Sequence, residues 1–367
     1  MKNKILFICN DSNTVINFRK ELILFLKDRE YEIFVLAGDN KRETDIKKLG
    51  VNFSFISFSN REKSVLSSIK LTKKFKNAIK KINPNIVFTF QIKPNIFGAM
   101  AAKKAKIENI YSMIEGLGDP FQPVNFKGRI LRKLISILYR KGLKATKKVF
   151  ILNPDDKREL IKRRIVSENK VVLISGIGID TKQYVPKYQF TSEKVVVNLS
   201  RLIVNKGIIE YCKIAREVRK IRPDIIFKLY GTEDQLTEKD IFEYIKDNSI
   251  KYCGYSNNAA EIISNSSFVV STSYREGFSR VLLEAMALGK PVIASNVVGN
   301  KEIVEQNKTG YLLDLNDLNT FVKCILDNID NEELLVKMGK NARQICEDKY
   351  DSSIINKRIV EVIETNS

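Results

Sequence analysis

Short apolar runs alternate with helical runs along most of the chain, and this alternation limits the possible folds more than any other feature. KILFIC (4–9) precedes VINFRKELILFLKD, YEIFVLAG (31–38) precedes TDIKKLG, and NFSFISF (52–58) precedes a basic helical stretch from Ser64 to Lys81. IVFTF (86–90) precedes PNIFGAMAAKKAK, NIYSMI (109–114) precedes a long basic run to about Lys148, and KVFILN (148–153) and VVLISG (171–176) follow. Strands apolar throughout are buried on both faces, and helices between them make the crossovers of a parallel sheet. TKQYVPKYQFTSEK (181–194) interrupts the pattern with a proline and polar residues and reads as a linker. The pattern restarts with VVVNLSRL (195–202), IIFKLYG (225–231), IKYCGY (250–255), FVVSTS (268–273) and PVIAS (291–295), and from about Leu318 it is helical. The expected fold is therefore α/β: two doubly wound domains, residues 1–185 and 186–350, with a helix over 351–367 returning to the first. Ligands of such sheets sit at the carboxyl ends of the strands, so two such domains facing each other would enclose a cleft.

One of those ends carries YREGFSRVLLEAMALGKPVIAS (274–295), with Glu276 in a loop and Glu284 inside a mostly apolar helix. A carboxylate in such a helix is costly unless it has a partner. Ser279 is placed to cap this helix and Gly289 to end it, with Pro291 beyond. A loop entering a helix N-terminus exposes free N–H groups and the positive end of the dipole, an anion site that Gly277 lets a ligand approach. Residues 277–282 (Gly277, Phe278, Ser279, Arg280, Val281, Leu282) are thus expected to hold a diphosphate by main-chain donors. Glu276 then faces what lies beyond the phosphates, and Glu284 reaches a diol. The bland alternatives are a solvated loop charge for Glu276 and an i−4 ion pair with Arg280 for Glu284. Some seventy residues earlier, NLSRLIVNKGIIEY puts Arg201 and Lys206 after another strand, a fork and a point charge suited to a diphosphate.

Composition removes competing chemistries. There is no histidine, which excludes His-ligated metals, a Ser-His-Asp triad and a histidine base. The five cysteines show no CxxC spacing, against a zinc site or disulfide framework. MKNKILFICNDSN reads as a first strand rather than a signal peptide. No apolar run approaches the roughly 20 residues of a membrane span. The net charge of +20 is lopsided: residues 1–190 hold 39 Lys+Arg against 17 Asp+Glu, and residues 191–367 hold 24 against 26. A basic half implies an anionic partner. Nucleic acid is the poor candidate, because no zinc knuckle, RNP-like aromatic pair or helix-turn-helix stands out.

Taken together, these residues resemble the retaining family 4 glycosyltransferases, which have the GT-B fold. Glu276 and Glu284 match that family's E-x7-E motif, and Arg201 and Lys206 match its Arg and Lys after the first strand of the second domain. SYREGFSR is similar to a subgroup loop S-Y-R-E-G-x-P-R, with Ser279 for the proline, and VVGNKEIVEQNKTGYLL to the stretch beyond it. QIKPNIFGAMAAKKAK and IEGLGDPF resemble acceptor-side segments of the first domain. The resemblance implies a nucleotide-sugar donor, UDP-linked, held by Arg201, Lys206 and the amides of 277–282. Glu284 would lie on the ribose, Glu276 on the sugar, and the base against Cys253, Gly254 and Tyr255. It implies transfer with retention, without cofactor or essential metal. It gives the acceptor side to Asn13, Gln91, Lys93, Asn95, Glu115 and Gly116. Two positions depart from the family: no histidine faces the sugar, Gln91 or Lys93 standing in that segment, and Asp11, Ser12 and Asn13 replace a Gly-Gly loop.

GRILRKLISILYRKGLKATKK (128–148) sets Ile130, Leu131, Leu134, Ile135 and Leu138 on one helical stripe, with its cations mainly elsewhere. The stripe can pack on the sheet, or the helix can lie on anionic lipid. SIKLTKKFKNAIKK (68–81) adds a second basic helix. The expectation is a cytoplasmic enzyme held peripherally on the membrane's inner face, where a lipid-linked saccharide acceptor of surface polysaccharide or lipopolysaccharide assembly would lie. A soluble acceptor, and a non-catalytic nucleotide-sugar-binding protein, are the alternatives.

Overall fold

The computed structural model describes residues 3–58, 65–118, 121 and 126–366. Ser64, at the expected start of the first basic helix, and Asp119 and Pro120 of IEGLGDPF lie outside them. The chain forms two compact units, one of residues 1–178 and 352–367, the other of residues 179–351. The first crossing between units therefore precedes the 181–194 stretch.

In the first unit, seven parallel strands are ordered β3-β2-β1-β4-β5-β6-β7. They are β1 (Lys4–Ile8), β2 (Glu32–Ala37), β3 (Asn52–Phe55), β4 (Ile86–Phe90), β5 (Asn109–Ile114), β6 (Lys148–Ile151) and β7 (Val171–Leu173). The central strands are buried on both faces, as their largely apolar sequences require, and the buried Thr89 and Ser112 hydroxyls hydrogen-bond each other at 2.7 Å. One face carries an aromatic cluster in which Phe88 stacks on Phe90 at 4.4 Å, with Phe7 and Phe150 beside them. The last helix, Ser352–Asn366, joins this unit: Ile359, Val360 and Ile363 are buried, and the Tyr111 hydroxyl donates to the Ile363 carbonyl at 3.1 Å.

The second unit has six parallel strands ordered β10-β9-β8-β11-β12-β13. They are β8 (Val195–Leu199), β9 (Ile226–Tyr230), β10 (Lys251–Tyr252), β11 (Phe268–Ser271), β12 (Val292–Ser295) and β13 (Gly310–Leu313). The expected strands are present with shorter ends, and β13 is an addition. The supposed linker is tied onto this unit, with the Lys187 amide donating to Leu288 O at 3.2 Å and Phe190 packed against the core. No helix among the described residues is long and apolar enough to cross a membrane.

Lys290, just before β12, is fully buried, its ammonium 4.1 Å from the Phe190 ring centroid and 3.4 Å from the Gln189 carbonyl. Burial, with Lys187 nearby, pushes its pKa down to about 8. Above pH 8 the folded protein releases this proton while the unfolded chain keeps it to about pH 10.5, so stability contributed by this group rises through that window. The protein should gain up to about 3 kcal/mol over that range relative to Lys290→Met. Urea unfolding at pH 7.5 and 10 measures the difference, and parallel pH profiles for the two proteins would refute it.

Candidate functional site

In each sheet the strand order reverses once, between β1 and β4 in the first unit and between β8 and β11 in the second. In sheets of this kind, ligands bind outside the carboxyl ends of the strands at that reversal. In the second unit the loops leaving those two strands are the ones carrying Arg201 and Lys206 and carrying Glu276. Gly207 lets these two loops touch, and Gly299, in the loop after β12, lets that third loop close on Glu276. Gly207 has φ +63°, and a Cβ on it would run into the Thr272 carbonyl, while Thr272 Oγ1 donates to Gly207 O at 2.8 Å. Gly299, φ +89°, lies so close to Glu276 that a Cβ would come within 2.5 Å of the Glu276 Cβ. The Tyr274 amide donates to Asn205 O at 2.9 Å, and the Glu276 amide to Val298 O at 2.9 Å. The Glu276 loop is therefore clamped from both sides before any ligand arrives.

The charges at this reversal point are paired. Lys206 Nζ lies 2.5 Å from Glu276 Oε1, and Ser273 Oγ donates to the same oxygen at 2.7 Å. Both charged side chains are largely buried, which strengthens their attraction and raises the cost of separating them. Arg201 is 63% exposed and donates from Nη1 to Asp234 Oδ2, after β9, at 3.3 Å. Each of the two cations expected at the diphosphate already meets a carboxylate. Arg201 sits in solvent, where its pair is weak, and Lys206 keeps further N–H donors.

Ser279 occupies the N-cap of the helix Arg280–Ala287, but its side chain makes no capping bond. It is buried, and its amide donates to Gly299 O at 3.3 Å. Leu282 lies in the core, Val281 packs against the same cluster, and the Phe278 ring meets Tyr350 edge-on at 5.6 Å. These three side chains are packing groups, so what they can offer a ligand is their main chain, as expected. The Val281 and Leu282 amides lie in the first turn, where no carbonyl of the helix reaches them. Gly277 is half-buried just before this turn. Glu284 does form the ion pair with Arg280, at 3.0 Å, and the Tyr184 hydroxyl donates to the same oxygen at 3.2 Å. On the β9–β10 side, Gly254 is left-handed at φ +65°, with open space where a Cβ would stand, and its carbonyl accepts from Gly231 N at 2.9 Å. Tyr255 follows it, exposed, and Cys253 precedes it.

The first unit's reversal point is built differently. Gln91, left-handed at φ +68°, accepts from the Asn10 amide at 2.9 Å and donates to Thr14 Oγ1 at 3.0 Å, tying the loops after β1 and β4 together. Asp11 caps the short helix Ser12–Phe18 by accepting from Thr14 N at 2.8 Å, and Asn13 is exposed on it. Lys93 borders a groove of about 140 Å³ with Ser57, Ser68, Lys70 and Lys74. Asn95 is fully buried, donating to Met113 O at 2.8 Å and accepting from Thr89 Oγ1 at 2.7 Å. It is a polar pin inside the core, so its expected place on the acceptor side is corrected. Glu115, followed by a half-buried Gly116, forms an ion pair with Arg19, which is 1% exposed and lies 4.3 Å over the Phe90 ring. Glu115 thus balances a buried cation.

Arg19, Tyr184, Asp234 and Ser273, each a partner of an expected site residue, were not picked out from the sequence. Arg19 and Tyr184 have no local signal, while Ser273 lies three residues before Glu276, within reach of a turn contact. Among the described residues no group of three or more Cys, Asp or Glu is placed to hold a metal ion.

Residues 180–345 match the family of glycosyl transferases group 1, and residues 4–153 match the glycosyl transferase 4-like family. The chain is 25% identical to the N,N'-diacetylbacillosaminyl-diphospho-undecaprenol alpha-1,3-N-acetylgalactosaminyltransferase of Campylobacter jejuni, over 98% of this chain and 97% of that one. It is 24% identical to the UDP-Gal:alpha-D-GlcNAc-diphosphoundecaprenol alpha-1,3-galactosyltransferase of Escherichia coli, over 87% and 85%. Among solved structures, Anabaena HepE in complex with UDP and glucose has a TM-score of 0.80 at 19% identity, covering 99% of this chain and 100% of that one, a likeness of fold.

Proposed function

From the premise that this chain is a glycosyltransferase of the GT-B fold, we propose that it moves a hexose or N-acetylhexosamine from a UDP-sugar to a saccharide carried on a polyprenyl diphosphate. Transfer proceeds with retention at the sugar carbon and without an essential metal. The observation that carries this reading is the Lys206–Glu276 pair, which joins the loops after β8 and β11 at the second unit's reversal point, with Arg201 on the same β8 loop and a helix N-terminus just beyond Glu276. The relatives from C. jejuni and E. coli, named for diphospho-undecaprenol substrates, support the acceptor class.

The Arg201 fork takes the diphosphate in place of Asp234, and the first-turn amides of Val281 and Leu282 add neutral donors. Donor entry draws Lys206 toward the phosphates and frees Glu276 to accept from the sugar hydroxyls. Glu284, held by Arg280 and Tyr184, accepts from the ribose. As the bond to the sugar breaks, negative charge grows on the leaving diphosphate, where preorganised cations count most. That phosphate takes the acceptor hydroxyl's proton on the same face. The basic first unit rests on the anionic inner surface of the cytoplasmic membrane, where the acceptor lies.

Incubating the protein with UDP-galactose, UDP-N-acetylglucosamine and UDP-N-acetylgalactosamine and a lipid-diphosphate saccharide, with products read by mass, tests the reading. One donor should add one sugar to the lipid, and no product with any donor would count against it. Arg201→Ala should weaken UDP binding about tenfold, the low end for a charge-assisted contact at an exposed site. Unchanged UDP affinity by calorimetry would remove Arg201 from the site.

A further inference from the structure

The first unit carries a groove of about 700 Å³ lined by Arg129, Arg132, Lys133, Arg140, Lys162 and Arg163, together with Ser136 and Ile137. It lies between the helix Phe126–Leu143 and the end of the helix Pro154–Lys162. Two of its cations are already engaged. Arg140 donates to the Arg164 and Arg163 carbonyls at 2.6 and 2.9 Å, and Arg163 pairs with Glu159 at 2.5 Å. These contacts brace the groove. Among the described residues, no carboxylate pairs with Arg129, Arg132, Lys133 or Lys162. Four such cations along one groove repel one another and favour an anion of more than one charge.

Ile130, Leu134 and Ile137 are exposed beside these cations, 49%, 55% and 39% open to solvent, at helical spacings of four and three. The expected apolar stripe is therefore divided. Ile135 and Leu138 pack on the core, and a separate apolar row faces outward among the cations. An exposed aliphatic row with cations alongside suits a ligand that is both apolar and anionic. The helix also follows β5 in a parallel sheet, so it starts at the carboxyl edge, the edge of the reversal point, and runs back from it. From Arg129 to Arg140 it covers about 16 Å.

We propose that this groove binds the diphosphate of the lipid-carried acceptor, with the hydrocarbon chain lying along Ile130, Leu134 and Ile137. This rests on the lipid-diphosphate acceptor proposed above and adds where on the chain the acceptor's charged link is gripped. Arg129 and Arg132 offer forks and Lys133 and Lys162 point charges, so the groove discriminates a diphosphate from the single charge of a phosphodiester.

The test is vesicle flotation of the full chain. One set of phosphatidylcholine vesicles contains undecaprenyl diphosphate, and a second contains phosphatidylglycerol at matched charge. The protein should bind the first set about tenfold more tightly or better. Arg129→Gln/Arg132→Gln/Lys133→Gln should bind both sets alike, with UDP affinity unchanged. Equal binding of the native chain to both sets would overturn the proposal, as would a preference that survives in the triple variant. Millimolar inorganic diphosphate should compete with the first set of vesicles, since it carries the same group, and a preference untouched by it would overturn the diphosphate assignment. UDP binding and donor turnover are read in parallel. Failure of the flotation result with those intact refutes this groove, whereas their loss refutes the donor site instead.

Discussion

Glu276→Ala should transfer sugar at least a hundredfold more slowly, about 3 kcal/mol of lost transition-state stabilisation, while binding UDP as tightly as before or more so. The expectation follows from the resting arrangement. Glu276 neutralises Lys206 at 2.5 Å, so removing the carboxylate leaves an ammonium that a diphosphate can use entirely. UDP has no sugar and does not sense the missing acceptor of sugar hydroxyls, but the intact donor does. A purely architectural Glu276, serving only to anchor Lys206 and the loop, predicts something else. UDP affinity would fall in step with turnover, and Glu276→Gln, which keeps a group for Ser273 to donate to, would restore both. Calorimetry with UDP and with the intact donor, beside turnover, separates the two. A UDP affinity reduced tenfold or more in Glu276→Ala would dismiss the sugar-reading role.

Glu115→Ala should destabilise the first unit by roughly 3 kcal/mol, because it strips the carboxylate from a cation that is 1% exposed. Arg19 rests over Phe90 at 4.3 Å and donates to Met113 Sδ at 3.4 Å, contacts that cannot replace a full negative charge. The double variant Arg19→Met/Glu115→Leu should regain most of the loss, since a buried pair exchanged for apolar groups of similar volume is close to neutral. Urea unfolding of the single and double variants measures the coupling. A Glu115→Ala protein within about 0.5 kcal/mol of the native one, with a raised KM for acceptor, would return Glu115 to the acceptor side.

The strands were legible because a strand buried on both faces is mostly apolar, as ILFI in β1 and FVV in β11 are. β13 was not, because GYLL is short, begins with Gly310 after the polar NKT and sits at the sheet edge, only partly buried. Spacing could place Arg201, Lys206 and Glu276 at carboxyl ends, but not on adjacent strands. The Lys206–Glu276 pair exists because β8 and β11 are neighbours across the reversal of strand order, which no local pattern encodes. The run 277–282 was read as main-chain donors, and the structure separates it into buried packing side chains and first-turn amides. Asn95 and Arg19 show the opposite difficulty. Polar residues in a segment otherwise rich in surface charge look solvated, and only tertiary packing reveals that they are sealed inside.

The path of the backbone has a consequence for how the molecule is made. Residues 179–351 form a continuous insertion within the first unit. Its two ends run side by side, with the Ile179 amide donating to Tyr350 O at 2.9 Å. On the ribosome, the second unit can close as soon as Asp351 has emerged, whereas the first, though begun earlier, waits for the final helix to pack on the helix Lys20–Lys27 and give Tyr111 its acceptor. The unit started first is finished last, and a fragment cut from the front of the chain at residue 178 would carry an uncovered apolar face. The excisable piece is the inner one.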